Sequence, residues 1–442
     1  MPRPSRRRVL NVSMNGEHVG QWVAAPNMPQ EFTYAVAWTE AEDARPISLS
    51  LPITDIGIAY KGLVVERFFE NLLPDNSEIR ARIRRYVNAE SVQAFDLLAK
   101  IGRDCIGALQ ISPDDEVTPT VRSIDGTPVD DAEIEQILLK TSGSATLGRL
   151  EEDDDFRISL AGAQEKTALL RVRKQWLRPH GATPSTHILK LPIGQSPFGI
   201  DLSTSVENEW LCAEIMRAYG FATATCEMAR FGGQKALIVE RFDRRLAQDG
   251  SWIIRLPQED FCQATGTDRE QKYEADGGPG IEKIMGILLG AADPMLNRLD
   301  FFRTQIVFWM LCATDGHAKN FSLFLESRGR YRLTPRYDVM SAFPVMGKKS
   351  GQLSRQKIKM AMAVQSGKNR HYRWDDILKR HFEGTAKRCA VAAEVESLFE
   401  DLIERTPYVL DVVQRRLPAN FPSAVSDPIL NGLTSSAKTL AA

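Results

Sequence analysis

The chain has 442 residues, 43% of them hydrophobic and 26% charged, with a formal net charge of −1; this is globular composition with length for two or three packed units. Its longest apolar run, 306–313, is too short to cross a bilayer, and the basic start at Arg6, Arg7 and Arg8 is not followed by a signal-peptide core, so a soluble cytoplasmic protein is expected. The six cysteines stand apart with no C-x-x-C pair, which argues against a disulfide framework or a structural zinc site.

Residues 8–60 read as β-rich: 9–14 and the alternation after Asn15-Gly16 form a hairpin signal. From Glu66 to Leu109 the period becomes helical, carried by Phe68, Phe69, Leu72 and Leu73, then by Phe95, Leu97, Leu98 and Ile101. The acidic run 151–155 marks a surface connection. Residues 156–260 form a second β-rich unit, with strands expected at 156–160, 167–172, 186–191 and 236–240. One amphipathic helix, 206–219, interrupts them, capped by Ser203 or Thr204 and closed by Gly220. Residues 257–421 read as mostly helical, broken by one hairpin at 321–339, and the small polar tail after Leu433 reads as loose. The expected organisation is therefore an N-terminal β-rich and helical subdomain (1–150), a nucleotide-binding β lobe (151–256), a helical catalytic lobe (257–432) and a flexible tail (433–442). A β lobe with one helix before a larger helical lobe is an α+β, bilobal, protein-kinase-like architecture. Architecture alone does not establish function.

The chemistry is concentrated where the uncharged run 306–313 meets Asp315-Gly-His317-Ala-Lys319-Asn320. Phosphoryl transfer needs a carboxylate that takes the nucleophile's proton and an oxygen ligand for Mg²⁺ nearby, and D-x-x-x-x-N spacing supplies both. Alone, the two residues would more often be turn formers. Asp338 follows the next expected hairpin, where a second metal carboxylate belongs, since hard Mg²⁺ takes carboxylate and phosphate oxygens. Lys190 interrupts an apolar strand and needs an anionic partner if buried, or water if the strand is an edge. The turn around Gly162 offers backbone N–H groups to phosphates, although it is neither G-x-G-x-x-G nor a Walker sequence. Residues 239–244 end a strand and begin the link between lobes.

Taken together, the strings DFRISLAGAQEKTALL, THILKLPIG, VENEW, VERFDRR, RLPQEDFCQ, KYEADGGPG, ATDGHAKNFS and RLTPRYDVMSAFP resemble the HipA family of bacterial serine/threonine kinase toxins. ENLLPD, FDLLAKIGRDCIGAL and RPISLSLP match it too, so the likeness covers most of the chain. The resemblance implies ATP and Mg²⁺ as cofactors, Asp315 as catalytic base, Asn320 and Asp338 as metal ligands, and Lys190 on the phosphates. Glu240 and Phe242 would contact adenine, and Gln258, His317, Lys319 and Tyr337 would line the pocket. The turn Leu160, Ala161, Gly162, Ala163, Gln164, Glu165 and Lys166 would close over the nucleotide. Ser159 matches the serine that family members autophosphorylate, which switches the kinase off. A conventional kinase pairs its lysine with a glutamate on the lobe's helix, a role open to Glu207 or Glu209.

The resemblance also implies a HipB-type helix-turn-helix antitoxin, operator DNA bound through that antitoxin, and glutamyl-tRNA synthetase as the protein substrate. Residues 348–388 hold twelve Lys/Arg against three acids, an excess of nine positive charges, and offer a surface for supplementary DNA contact or simply a solvated loop-and-helix face. The rival readings are a small-molecule phosphotransferase of the aminoglycoside-kinase type, which requires an acidic pocket for a cationic substrate, and a DNA-bound co-repressor with a retired kinase fold.

Overall fold

In a computed structural model of the chain, residues 7–54, 57–116, 120–142, 164–196 and 199–442 are described. The first sheet begins with β1 (Arg8–Met14) and β2 (Glu17–Ala24), joined through Asn15 and Gly16 at φ 50° and 84°. Positive φ at both central residues is what the twist of a two-residue hairpin demands. β3 (Glu31–Tyr34), β4 (Tyr60–Lys61) and β5 (Leu109–Pro113) complete it in the order β4-β3-β2-β1-β5. A short α1 (Val36–Thr39) precedes α2 (Leu63–Glu70), α3 (Ser77–Tyr86) and α4 (Ala94–Ile101), which share the sheet's core; there Trp22 stacks on Phe69 with centroids 3.8 Å apart.

The next strand, β6 (Gly126–Pro128), and α5 (Asp131–Thr141) leave this unit. β6 joins the β lobe with β7 (Lys166–Val172), β8 (Gln175–Pro179) and β9 (His187–Lys190). Farther along come β10 (Gly194–Gln195), β11 (Asp201–Leu202), α6 (Ser205–Ala218), β12 (Cys226–Phe231) and β13 (Gln234–Glu240). The main antiparallel sheet runs β12-β13-β9-β7-β8-β6, while β10 and β11 pair with each other. Because Ile134 and Leu138 of α5 pack with Leu169, Leu189 and Ile238, the β lobe already begins near residue 126 and not at the expected 151. The expected strand at 156–160 and the acidic run 151–155 lie outside the described residues. Thr204 stands at the N-cap of α6 without a side-chain bond, and Gly220 closes the helix at φ 92°.

Strands β14 (Arg244–Leu246) and β15 (Ile253–Arg255) form the link to the large lobe, whose small sheet is β16 (Gln258–Asp260), β17 (Ser322–Leu325) and β18 (Tyr331–Leu333). Around it lie α7 (Phe261–Thr265), α8 (Ile281–Ile287), α9 (Pro294–Met310), α10 (Lys379–Arg388), α11 (Val395–Arg416) and α12 (Ser423–Ala441). Two expectations fail here. The basic stretch contains a second hairpin, β19 (Lys359–Ser366) with β20 (Asn369–Arg373), because Met360, Met362 and Val364 join the helical core. The residues expected to form a loose tail continue α12, with Leu433 and Leu440 fully buried and Ala437 against the same core at helical spacing. Among the described residues, no helix is long and apolar enough to cross a membrane.

The N-terminal unit is tied to the inter-lobe link by buried charge. Asp104 meets Arg244 at 2.9 Å and Arg241 at 3.4 Å, and accepts from Ser185 Oγ at 2.6 Å. Asp243 accepts from both arginines at 2.9 Å and from the Gly107 N–H at 2.7 Å. Gly107 is required twice over, by its φ of 73° and because a Cβ would lie 2.7 Å from the Gln258 carbonyl. Replacing Asp104 by Ala leaves the buried Arg241 and Arg244 to share Asp243, so unfolding by denaturant should show a loss of about 3 kcal/mol.

Candidate active site

Lys190 lies on β9, inside the sheet, and is only 6% exposed, which rules out the edge-strand reading. Its ammonium donates to Glu209 Oε1 at 2.6 Å and to Asp338 Oδ1 at 2.9 Å. Burial alone would lower its pKa, but Asp338 and Glu209 hold it above the ordinary lysine range. Burial would raise Asp338, yet Lys190 and then Lys166 hold it well below the usual carboxylate range. The glutamate question is thereby decided: Glu209 reaches Lys190, whereas Glu207 pairs with Lys235 at 2.7 Å.

Asp338 sits at φ 58°, a left-handed conformation tolerated better by Asp than by bulkier residues. The segment is clamped on both sides. Asn208 of α6 exchanges two hydrogen bonds with the Ser341 backbone, both 2.8 Å, and Arg336 donates to Thr304 Oγ1 of α9 at 2.9 Å.

The loop from Asp315 to Asn320 follows the buried end of α9. Gly316 is needed there, since a Cβ would come within 2.5 Å of the Phe308 ring. Asn320 Nδ2 donates to the Asp315 carbonyl at 2.6 Å, closing the loop on itself. The Asp315 side chain is half exposed, accepts from the Tyr273 hydroxyl through Oδ1, and has His317 Nε2 at 3.8 Å. Burial holds the His317 imidazole below its ordinary pKa although Asp315 opposes this, which favours a neutral ring.

Lys190, Asp338, Asp315, His317 and Asn320 line one cavity of about 240 Å³. Gln164, Lys166, Lys190, Glu240, Phe242, Gln258, Asp315, His317, Lys319, Asn320, Tyr337 and Asp338 all face it. Its apolar wall includes Ile188, Val239 and Phe242, with Phe242 packed 5.7 Å from Tyr337. Gln258 Oε1 is buried without a partner among the described residues, an acceptor waiting for a donor. Lys166 stands opposite Lys190 in the β7–β9 register; burial and the second ammonium push its pKa down to about 8. Two adjacent ammonium groups and one partly exposed carboxylate suit a guest bearing phosphates and a cation.

One assignment changes. Glu165 is not in the lining: its carboxylate pairs with Arg82 of α3, while its carbonyl accepts from the Leu191 N–H at 3.1 Å. Lys319 reaches the cavity wall, but its ammonium is committed to Asn71 Oδ1 at 2.8 Å, the Asn71 carbonyl at 3.0 Å and Asp260 at 3.1 Å. Ser159, Leu160, Ala161, Gly162 and Ala163 lie outside the described residues. The sequence reading missed Asn71, Leu72 and Asp75, which the N-terminal unit contributes to the lining, and Lys272, which joins Asp75 at 2.9 Å. For the N-terminal three, the only sequence signal was the polar Asn71 and Asp75 flanking Leu72 and Leu73 in ENLLPD.

A two-lobed fold with a lysine–glutamate pair in its β lobe, an Asp–Asn catalytic loop and a following aspartate defines a kinase. The chain belongs to the HipA family: the model described as HipA-like C-terminal domain matches residues 158–410 and that of the HipA N-terminal domain matches 10–112. The chain is 32% identical to the Sinorhizobium fredii protein Y4mE over 360 residues, covering 80% of this chain and 82% of that protein. It is 26% identical to the serine/threonine-protein kinase toxin HipA of Shewanella oneidensis over 322 residues, 70% of each. Among solved structures it resembles the Shewanella oneidensis complex of HipA, HipB and operator DNA, with TM-score 0.77, 20% identity, and coverage of 98% of this chain and 96% of that one.

If Lys166 supplies charge to a nucleotide, affinity must fall as pH rises through about 8, because the guest prefers the protonated amine. ATP titrations between pH 7 and 9.5 should show that loss in the native chain and a flat profile in Lys166→Arg. Glu209→Gln removes one of the two carboxylates on Lys190, and should weaken ATP binding about tenfold in the same assay.

Proposed function

We propose that the chain is an ATP- and Mg²⁺-dependent serine/threonine kinase toxin. The observation that carries this is the convergence of Lys190, Asp315, Asn320 and Asp338 on one cavity whose far wall is apolar. The orphaned Gln258 Oε1 suits the amino group of a purine, and the wall of Ile188, Val239 and Phe242 suits its ring.

The donors also fit Mg²⁺. Asn320 and Asp338 offer an amide and a carboxylate oxygen, a sparse set of the kind Mg²⁺ uses when substrate phosphates complete its shell. When bound, the ion neutralises charge on the phosphate oxygens. Lys190 and Lys166 hold those phosphates, and Glu209 fixes the lysine that would otherwise pair with Asp338 alone. Asp315 takes the proton of an acceptor hydroxyl, and its half-exposed carboxylate leaves room for that hydroxyl. We assign the acceptor, by family resemblance, as a serine of glutamyl-tRNA synthetase, and Ser159 as the autophosphorylation site.

The toxin would act with a HipB-type antitoxin, as its structural relative is seen to do with HipB and operator DNA, and would thereby serve as co-repressor. The basic 348–388 region supports a supplementary DNA contact. The small-molecule reading would need free acids for a cationic substrate, whereas Asp75, Asp243, Asp260 and Asp338 in this cavity are each paired with a lysine or arginine; the retired-kinase reading conflicts with the presence of all four key residues.

Mass spectrometry after incubation with ATP and Mg²⁺ tests the assignment. One phosphate on Ser159 in the native chain, and none in Asp315→Gln, is the expected result. No nucleotide binding in the native chain would refute it.

A further inference from the structure

The Tyr273 hydroxyl donates to Asp315 Oδ1, so one oxygen of the assigned base already has a fixed partner. No described group donates to Oδ2. The phenol is held rigidly. Its ring meets His317 edge-on, with centroids 5.0 Å apart, and its carbonyl accepts from the Gly278 N–H at 2.9 Å and the Asp276 N–H at 3.1 Å. The turn needs glycine here: Gly277 lies at φ 99°, and a Cβ on Gly278 would strike the Gln271 and Tyr273 carbonyl oxygens.

Neighbouring residues fasten the segment on two further sides. The Ala318 N–H, within the catalytic loop, donates to the Lys272 carbonyl at 3.2 Å, while the Lys272 ammonium reaches Asp75 of the N-terminal unit. Glu274 accepts from the Ala363 N–H of β19 at 2.7 Å. Burial first, then the negative charge of Asp315, hold the phenol above its ordinary pKa, so the oxygen keeps its proton and remains a donor.

We propose that Tyr273 is a positioning residue for phosphoryl transfer: its phenol fixes one oxygen of Asp315 and aims the other at the acceptor hydroxyl. This rests on the reading of Asp315 as base. A carboxylate free to rotate would meet the acceptor in the reactive geometry less often, so the effect belongs to the chemical step and not to nucleotide affinity.

The test uses the full chain with ATP and Mg²⁺, reading initial ADP formation together with phosphate incorporated, for the native chain, Tyr273→Phe, Tyr273→Ala and Asp315→Asn. Tyr273→Phe keeps the ring against His317 and loses only the hydroxyl. The expected result is a roughly tenfold fall in kcat with KM for ATP unchanged within about twofold, and no recovery in Tyr273→Ala. An unchanged or raised kcat in Tyr273→Phe, beside an inactive Asp315→Asn, would overturn the inference alone; the raised value would mean that the phenol obstructs the acceptor. A parallel loss of ATP affinity would also overturn it, by showing a role in the pocket. Activity retained by Asp315→Asn would overturn the base assignment and the inference with it.

Discussion

A lysine ammonium buried in a β-sheet has to be neutralised, and the way this chain neutralises Lys190 determines how its lobes meet. One partner, Glu209, comes from the helix of the same lobe, and the other, Asp338, from the segment after the hairpin of the large lobe. The second contact spans the cleft, so the charge of Lys190 ties the two lobes together across the cavity. Asp338 adopts a left-handed conformation to do this, a local cost of order 1 kcal/mol absorbed by the Asn208 and Arg336 clamps around it. The same pairing makes the site receptive: among the described residues Asp338 is engaged through Oδ1 only, and Lys166 stands beside Lys190 as a second cation.

The N-terminal unit is part of this machine. It contributes Asp104 to the charge cluster at the inter-lobe link, Ser48 and Leu49 as donors to the buried Glu259, Asn71 to Lys319 and Asp75 to Lys272. Burial pushes Glu259 up to about 8 in pKa, although the two donors oppose this, so among the described residues this carboxyl is kept satisfied by the N-terminal unit alone. The large lobe therefore depends on it for the position of Gln258, Asp260 and Lys319.

Much of the site was legible in the sequence because chemistry and chain order coincide there. An uncharged helix running into Asp315, an asparagine five residues on, an acid after the next hairpin and a lysine interrupting a strand each broke a local pattern. The Glu207 or Glu209 choice was not legible. Two residues apart on a helix point about 200° away from each other, so one faces Lys190, but only the docking of α6 says which. Glu165 looked like a pocket residue and proved to be committed to Arg82, and Lys319 lines the cavity with its ammonium committed to Asn71 and Asp260, partners more than fifty residues away. The tail misled for a different reason: its small residues hid the spacing of Leu433, Ala437 and Leu440, a helical stripe that finds the core.

The central claim is that Asp338 and Lys190 together receive a nucleotide as its Mg²⁺ complex. Calorimetric titration of the native chain and of Asp338→Asn with a non-hydrolysable ATP analogue, with and without Mg²⁺, tests it most directly. The account predicts tighter binding with Mg²⁺ in the native chain and a Mg²⁺ dependence that vanishes in the variant. An equal Mg²⁺ dependence in both proteins, or no binding of the analogue by the native chain, would contradict it.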